Sequence, residues 1–342
     1  MKYLKLFAGV FSLLVLVSCG NSTVTTLPTP SGRPGDLLII IDQDVWKSPG
    51  GDTLKNLFQQ DIVGLPWEET MFDISHTDHE NFIRILHTAR SIIDVDVSKT
   101  YSQPKVVYQT DLYSRTQRFI KIQLPSVKDL KPVVEKEGMK MLSFIYQGER
   151  ERFLANYRKF NNPDLMKMVK DSIGVDMIIP SDFTRYSFHD NFVWMLAKSN
   201  DYMKYLAIYT YDYKSQSQLT KKNLVAMRDS VMRVNIPGSR PGSYMSTGMF
   251  YPPVLTQFMD HGKYVAELRG IWETEGDMMG GPFVSQTRID EASNRVVTVE
   301  VFLYAPHKNK RNTMRELESL LYTVKLSDEE KPQGTQNKED EE

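Results

Sequence analysis

Strand-like and helix-like patterns alternate along most of the chain. DLLIIID, residues 36–42, is an almost unbroken apolar run, the pattern of a strand buried on both faces. Leu54, Leu57 and Phe58 fall at i, i+3 and i+4, which predicts a helix capped by Asp52 and reaching about Gln60. MFDIS and SIIDVDV predict two strands with a helix over 78–89 between them, and KVVYQTDLY with RFIKIQL predicts a hairpin. From 126 to 160 the apolar residues Met141, Leu142, Ile145, Tyr146, Phe153, Leu154 and Tyr157 recur at helical spacing, with breaks expected at Gly138 and Gly148. Pro163, a first-turn residue, opens a second helix. After VDMIIP come two alternating runs, FTRYSFHDNFVWMLAK and YMKYLAIYTYDY, and then a helix over 220–234. The strand-like runs YMSTGMFYPPVLTQF, YVAELRGIWETE, PFVSQTRID and RVVTVEVFLYA precede a last helix over 313–324.

This order predicts an α+β fold of mainly antiparallel sheet with helices packed on one face. An internal echo supports two similar α/β subdomains as a variant of it. YLAIYTYDY and VTVEVFLYA each lead through a polar basic loop into an amphipathic helix, and FIKIQLPSVKDLKPVVEKEG reads as a shortened third copy. The expected boundaries are 36–162 for an N-terminal subdomain and 163–326 for a C-terminal one.

The ends read differently. Lys2 and Lys5 precede an apolar stretch over 6–17, of a length found in export signals and too short to span a bilayer. It ends Leu16-Val17-Ser18-Cys19, which resembles the lipobox of bacterial lipoproteins. The resemblance implies that residues 1–18 are a cleaved signal peptide and that Cys19 carries diacylglycerol and a further acyl chain of palmitate type. At about 0.8 kcal/mol per buried CH₂, several chains make a durable membrane anchor. Cys19 is the single cysteine of the 342 residues, as suits an exported fold that does without disulfides. Residues 19–35 are small, polar and rich in Pro and Gly, and read as a flexible tether. Gly20 follows the cysteine, and no acidic cluster does. By the same resemblance this favours the periplasmic face of the outer membrane over the inner membrane or the cell surface. Residues 327–342 are acidic and nearly devoid of order-promoting side chains, a disordered tail.

Loss of residues 1–18 removes two lysines and no acid, leaving 40 basic and 43 acidic side chains, a net charge of −3. That balance offers no basic face for nucleic acid. The expected partners are the membrane, through the lipid, and other envelope proteins. No cofactor is expected beyond the covalent lipid.

Candidate chemistry is sparse. The strand ending LLIIIDQDVW brings Asp42 and Asp44 to a strand terminus, where one carboxylate can serve as nucleophile or metal ligand and the other as acid or base. It resembles the first motif of haloacid-dehalogenase-type phosphatases, but Trp46 stands where that family wants Thr or Val, and its later motifs lack a match in order. In SHTDHENF, His76 and His79 have a metal-like H-x₂-H spacing beside Asp78 and Glu80, and no HExxH exists. A helix start capped by Thr77 or Asp78 explains the same letters. No G-x-S-x-G, P-loop or dinucleotide fingerprint is present. In IWETEGDMMGGPF, Trp272, Met278, Met279 and Phe283 flank a Gly280-Gly281 turn and form a candidate contact patch, with Asp277 on its polar rim. Core filling is the alternative use of the same aromatics.

Taken together in this order and spacing, the lipobox, LLIIIDQDVW and RGIWETEGDMMGGPFVS resemble an uncharacterised lipoprotein family of Bacteroidota-type bacteria, a family of domains of unknown function. The resemblance implies membership and location, and no activity. The expected function is therefore a lipid-anchored envelope protein acting as a binding or scaffold module. The alternative is a periplasmic hydrolase, metal-dependent or phosphatase-like, centred on Asp42 and Asp44.

Overall fold

A computed structural model describes residues 26–326. The expected signal segment, Cys19 and the acidic tail lie outside the described residues. The chain joins the folded body at residue 28, earlier than a tether over 19–35 implies. The Pro28 carbonyl accepts from the Arg115 amide at 2.9 Å, and the Ser31 amide donates to the Thr88 carbonyl at 2.7 Å.

The first half forms a five-stranded sheet from β1 (Asp36–Ile41), β2 (Asp73–Thr77), β3 (Ser91–Val97), β4 (Lys105–Thr110) and β5 (Arg118–Leu124). The spatial order is β2-β1-β3-β5-β4, with β4 antiparallel at the edge and the other four strands parallel. Leu37, Ile39 and Ile41 of β1 pack beneath the helices, while Leu38 and Ile40 fill a smaller cluster on the opposite face with Ile92 and Phe119. A strand buried on both sides has no use for alternation, hence the continuous apolar run.

A one-turn helix α1 (Gln43–Trp46) leads into α2 (Pro49–Phe58), which is capped by Ser48 rather than Asp52. The Ser48 hydroxyl accepts from the Gly51 amide at 3.2 Å, and Pro49 takes the first turn. Asp52 instead pairs with Lys55 at 2.7 Å. Leu54 and Phe58 are buried completely, worth about 1.5–3 kcal/mol each. Helix α3 (Leu130–Lys159) runs unbroken through both glycines. A Cβ at Gly138 would lie 2.9 Å from a Leu57 methyl, and one at Gly148 would lie 2.3 Å from Arg118 Cγ. These glycines let the helix press onto its neighbours, which repays a propensity cost of about 1 kcal/mol apiece. The helix expected over 78–89 is instead a loop with a short 3₁₀ turn at Arg84–Thr88.

Helix α4 (Pro163–Ile173) opens the second half, with the Asn162 side chain capping the Leu165 amide at 3.0 Å. Then come β6 (Val175–Asp176), β7 (Arg185–His189), β8 (Phe192–Lys198), β9 (Met203–Asp212), α5 (Lys221–Asn235), β10 (Tyr244–Gly248), β11 (Val254–Asp260), β12 (Lys263–Glu275), β13 (Gly280–Asp290), β14 (Arg295–Tyr304), α6 (Arg311–Leu321) and β15 (Lys325–Leu326). Eight strands form one antiparallel sheet in the order β10-β12-β13-β14-β9-β8-β7, and β11 shares the edge of β12 with β10. The architecture is thus α+β and mainly antiparallel. The large sheet carries α4 and α6 on one face and α5 on the other, so its helices occupy both faces. This is why β13 and β14 are buried almost end to end. The two echoing strands, β9 and β14, lie side by side and antiparallel, with their following helices on opposite faces.

The halves meet along α3, α6 and the segment before β2. Helix α6 has no side-chain cap of its own. Glu69 from the first half supplies one, accepting from the Lys310 amide at 2.7 Å and the Arg311 amide at 2.9 Å. A carboxylate at a helix N-terminus satisfies orphan donors and meets the positive end of the dipole.

Candidate functional site

The sheet order creates a switch point, because the chain leaves β1 for β2 on one side and then reaches β3 on the other. Open parallel sheets gather their sites at such a point, beyond the strand C-termini. Asp42 sits there at the end of β1, and His79 follows β2. His79 Nδ1 lies 2.9 Å from Asp42 Oδ1, and its Nε2 lies 2.9 Å from Asp94 Oδ1. The network continues through Lys121, 3.2 Å from both Asp94 and Asp96, and through the Tyr101 hydroxyl, which donates to Asp96 at 2.6 Å. Burial works against a charged His79, but hydrogen bonds from its ring to Asp42 and Asp94 outweigh that and raise its pKa. The imidazolium satisfies both carboxylates at once. In that state neither ring nitrogen has a lone pair with which to act as a base.

Of the residues singled out in sequence, Asp42 and His79 converge, and Asp44 and His76 do not join them. Asp44 is exposed on the first turn of α1. The His76 ring stacks on Trp46 with centroids 4.3 Å apart, and the Lys55 ammonium lies 4.6 Å from the Trp46 ring. The H-x₂-H spacing fails to converge because β2 ends between the two histidines. Among the described residues, no group of three or more His, Cys, Asp or Glu side chains is arranged to hold a metal ion. Asp94, Asp96 and Lys121 were readable only as strand letters. Their signal was SIIDVDV, where alternate acids share one face of an otherwise buried strand.

Gly280 and Gly281 do not form the expected turn but open β13, paired with Glu273 and Trp272, and they do not present an apolar patch. Trp272 and Phe283 are core residues. The Trp272 indole donates to the Leu303 carbonyl at 3.2 Å, and the Arg228 guanidinium covers Phe283 at 3.8 Å. A Cβ on Gly281 would come within 2.0 Å of the Leu303 carbonyl oxygen, and one on Gly280 within 2.9 Å of the Trp272 carbonyl oxygen. Both glycines serve backbone approach. Asp277 accepts from the Ser239 hydroxyl, from the Met278 amide at 2.7 Å and from the Ser239 amide at 2.9 Å, and these bonds, the hydroxyl's first, lower its pKa. Met279 packs against the core, whereas Met278 is 93% exposed. The void beside Trp272 and Met279 measures about 40 Å³, and Asp42 takes no part in it.

A larger cavity, about 340 Å³, opens between the two halves. Arg150 of α3, Arg269 of β12 and Arg311 and Arg315 of α6 line it, with Glu318 the one carboxylate in its wall. Arg269 grips Glu318 through two bonds of 2.7 and 2.9 Å and reaches Glu267 at 3.3 Å. Burial opposes the charge on Arg269, but these two carboxylates overcome it and hold the guanidinium protonated. Arg311 bonds to Asp73 and to the Thr70 carbonyl; the first contact raises the Arg311 pKa and lowers that of Asp73.

Among the described residues, the remaining two guanidiniums have no carboxylate partner. Arg315 donates to the Met71 carbonyl at 2.6 Å and the Tyr146 hydroxyl at 3.1 Å, between the rings of Phe72 and Tyr146. Its Nη1 is buried without a hydrogen-bond partner. Arg150 lies 3.3 Å over the Tyr322 ring, and burial pushes the Tyr322 phenol up to about 12. Ile62, Val63 and Val254 add apolar wall. Sequence reading missed this site because its residues lie far apart in the chain. Arg150 itself falls within ERERFLANYRKF, a pattern that reads as a solvated helix face.

Residues 30–158 match the family model "Domain of unknown function (DUF8532)", and residues 162–323 match "Domain of unknown function (DUF4837)". The two matched regions follow one another along the chain. The junction between them falls between α3 and α4, and the arginine cavity takes one wall from each matched region: Arg150 from the first, and Arg269, Arg311 and Arg315 from the second. No curated protein matches the chain. Similar solved structures include a point mutant of the protein Mog1 and the Saccharomyces cerevisiae Ran-binding protein Mog1p. Each is 8% identical with a TM-score of 0.30 over 44% of this chain, covering 90% and 89% of theirs. The human StarD13 lipid transfer and protein localization domain is 12% identical with a TM-score of 0.21, over 46% of this chain and 95% of its own. Scores this low carry no functional argument.

Proposed function

We propose that the protein is a bacterial cell-envelope lipoprotein, anchored through Cys19 at the periplasmic face of the outer membrane, whose two-domain body binds a small ligand bearing anionic groups. The anchor rests on the lipobox resemblance. The binding role rests on one observation, the interdomain cavity in which Arg150 and Arg315 lack a carboxylate. Its 340 Å³ lies within the range of small-molecule sites, at the lower end. A guanidinium over a tyrosine ring keeps its charge and still has its edge donors to offer. Inorganic phosphate and citrate are suitable probes. Either should raise the thermal midpoint of the wild-type protein, and Arg150→Gln should weaken that effect about tenfold in ligand concentration, as loss of a charged hydrogen bond predicts. Equal midpoint shifts in both proteins would remove the cavity from the account. For the anchor, labelled palmitate should enter the wild type and not Cys19→Ala.

A second reading, a periplasmic hydrolase, metal-dependent or phosphatase-like, is favoured by the meeting of Asp42, His79 and Asp94 at the switch point. It predicts turnover of p-nitrophenyl phosphate, alone or with Mg²⁺ or Zn²⁺, that Asp42→Asn abolishes and Asp44→Asn spares. Absence of turnover under all three conditions would retire it.

A further inference from the structure

The point where the chain joins the body bears on how the body sits above its membrane. Pro28 and Ser31 are bonded to Arg115 and Thr88, at the N-terminal end of the parallel sheet. Only eight residues, or nine residue-to-residue steps, separate Cys19 from Pro28, so that span reaches at most roughly 30 Å whatever its conformation. A compact body of this size measures about 50 Å across by the usual scaling. A leash shorter than the body is wide selects which face meets the lipid.

That face exposes apolar side chains beside cations. Ile83 and Ile85 of the 3₁₀ segment are 60% and 74% exposed, and Leu112 of the β4–β5 loop is 36% exposed. The two segments are bound together: His87 stacks on Tyr113 with centroids 4.4 Å apart, and the Gln117 side chain donates to the carbonyls of His87 and Ala89 at 2.7 Å each. Residues 26–33, 82–88 and 112–116 contain Arg33, Arg84 and Arg115, all exposed, and no carboxylate, with Asp36, Glu80 and Asp111 at their flanks. Exposed isoleucines among arginines suit a surface that is apolar beneath and anionic on top, which is a phospholipid interface.

We infer that the face built from Ile83, Arg84, Ile85, Leu112 and Arg115 rests on the anionic phospholipid surface to which the lipid tethers the chain. This rests on the proposed anchor at Cys19, and it orients the molecule. The end of the sheet where the chain enters faces the bilayer, and the Asp42–His79 end faces away.

The protein's own cysteine content makes the test clean. With Cys19 acylated, a cysteine introduced at Ile85→Cys is the sole free thiol and can carry a fluorophore; Lys222→Cys, exposed on α5 of the other domain, serves as the control. The full chain is reconstituted in vesicles of phosphatidylethanolamine and phosphatidylglycerol at 3:1, with a nitroxide on the headgroup. The label at 85 should be quenched several-fold more than the label at 222. Adding Arg84→Gln and Arg115→Gln should shrink that ratio, since each cation near such a surface is worth about fivefold in partition. Flotation of the protein with the vesicles reads the anchor separately. Flotation with equal quenching at both positions overturns the orientation and leaves the anchor standing. Failure to float overturns the anchor and the orientation with it.

Discussion

The Asp42–His79–Asp94 cluster and the arginine cavity are both rich in charge, yet they stand in opposite states of balance. In the first, three carboxylates share two cations and every charged group has a partner: each ring nitrogen of His79 meets a carboxylate at 2.9 Å, and Lys121 lies between Asp94 and Asp96. In the second, Arg269 and Arg311 are matched, while Arg150 has an aromatic face and Arg315 a carbonyl and a phenol. A closed cluster has little electrostatic energy left to offer a ligand. An unbalanced cavity holds cations already partly stripped of water, and an arriving anion completes their pairing. Proximity to strand ends and a suggestive motif pointed toward the first site, and charge accounting points toward the second.

The largest effect expected from opening a closed charge lies deeper, in the second half of the chain. Arg228 and Glu300 are both fully buried and joined at 2.8–3.1 Å, with Thr247 completing the guanidinium's bonds. Burial raises the Glu300 pKa in spite of Arg228. Arg228→Met strands that carboxylate and should cost about 3–5 kcal/mol in urea unfolding. The double variant Arg228→Met, Glu300→Gln should recover much of the loss. If the single variant is as stable as wild type, closure of a charge group is not what holds α5 to the sheet.

Next in size is Gly281→Ala, which should cost about 1–3 kcal/mol, since its methyl would overlap the Leu303 carbonyl oxygen. Gly242, with open space around it, is the control for steric cost, although its φ of 78° adds strain of its own on substitution. A Gly281→Ala protein of unchanged stability would return the start of β13 to the recognition candidates. Arg150→Gln comes third. It should change stability by less than about 1 kcal/mol, as expected for a surface guanidinium, while weakening phosphate or citrate binding about tenfold. Reversal of those two outcomes would make the cavity a structural joint.

How much of this was legible follows from where each signal lies in the chain. The α+β class, the β4–β5 hairpin, α3 and the all-strand middle of the second half are local patterns, and period-2 and period-3.6 hydrophobicity reports them directly. The parallel order of β2-β1-β3-β5 was hidden, because it depends on long crossovers rather than on any strand's own letters. Gly138 and Gly148 read as helix breaks, but Leu57 and Arg118, distant in sequence, use the space they leave. Asp42 was visible because it ends an apolar run. Asp94 and Lys121 were not, since their meaning arises only when β3 and β5 pair. The arginine cavity draws on α3, β12 and α6, and no window of sequence contains it.

The smallest expected effect separates the two sites most sharply, because it asks whether the first is closed in solution. His79 has its pKa raised above 6.5, so the folded state binds its proton more tightly than the unfolded chain does. Its contribution to stability is therefore fully present below about pH 6.5 and is lost as the pH rises through the folded value. Asp96 works in the opposite sense. Burial opposes its charge, yet bonds from Tyr101 and Lys121 lower its pKa, so its contribution is present above about pH 3.8 and lost as the pH falls through the folded value. The cluster should thus contribute a shallow plateau of stability, falling off in acid and again as the pH rises through the raised His79 value. With the His79 side chain 37% exposed, solvent screening keeps its share under about 1 kcal/mol. The sensitive readout is the His79 ring resonance followed by NMR against pH. In the wild type its midpoint should lie above 6.5, and Asp94→Asn should bring it down, because one of its two carboxylates has gone. A midpoint at or below 6.5, unmoved by Asp94→Asn, would mean that the imidazole is free in solution. Asp42 and Asp94 would then be open carboxylates at a strand switch point, and the hydrolase reading would regain the ground that charge accounting took from it.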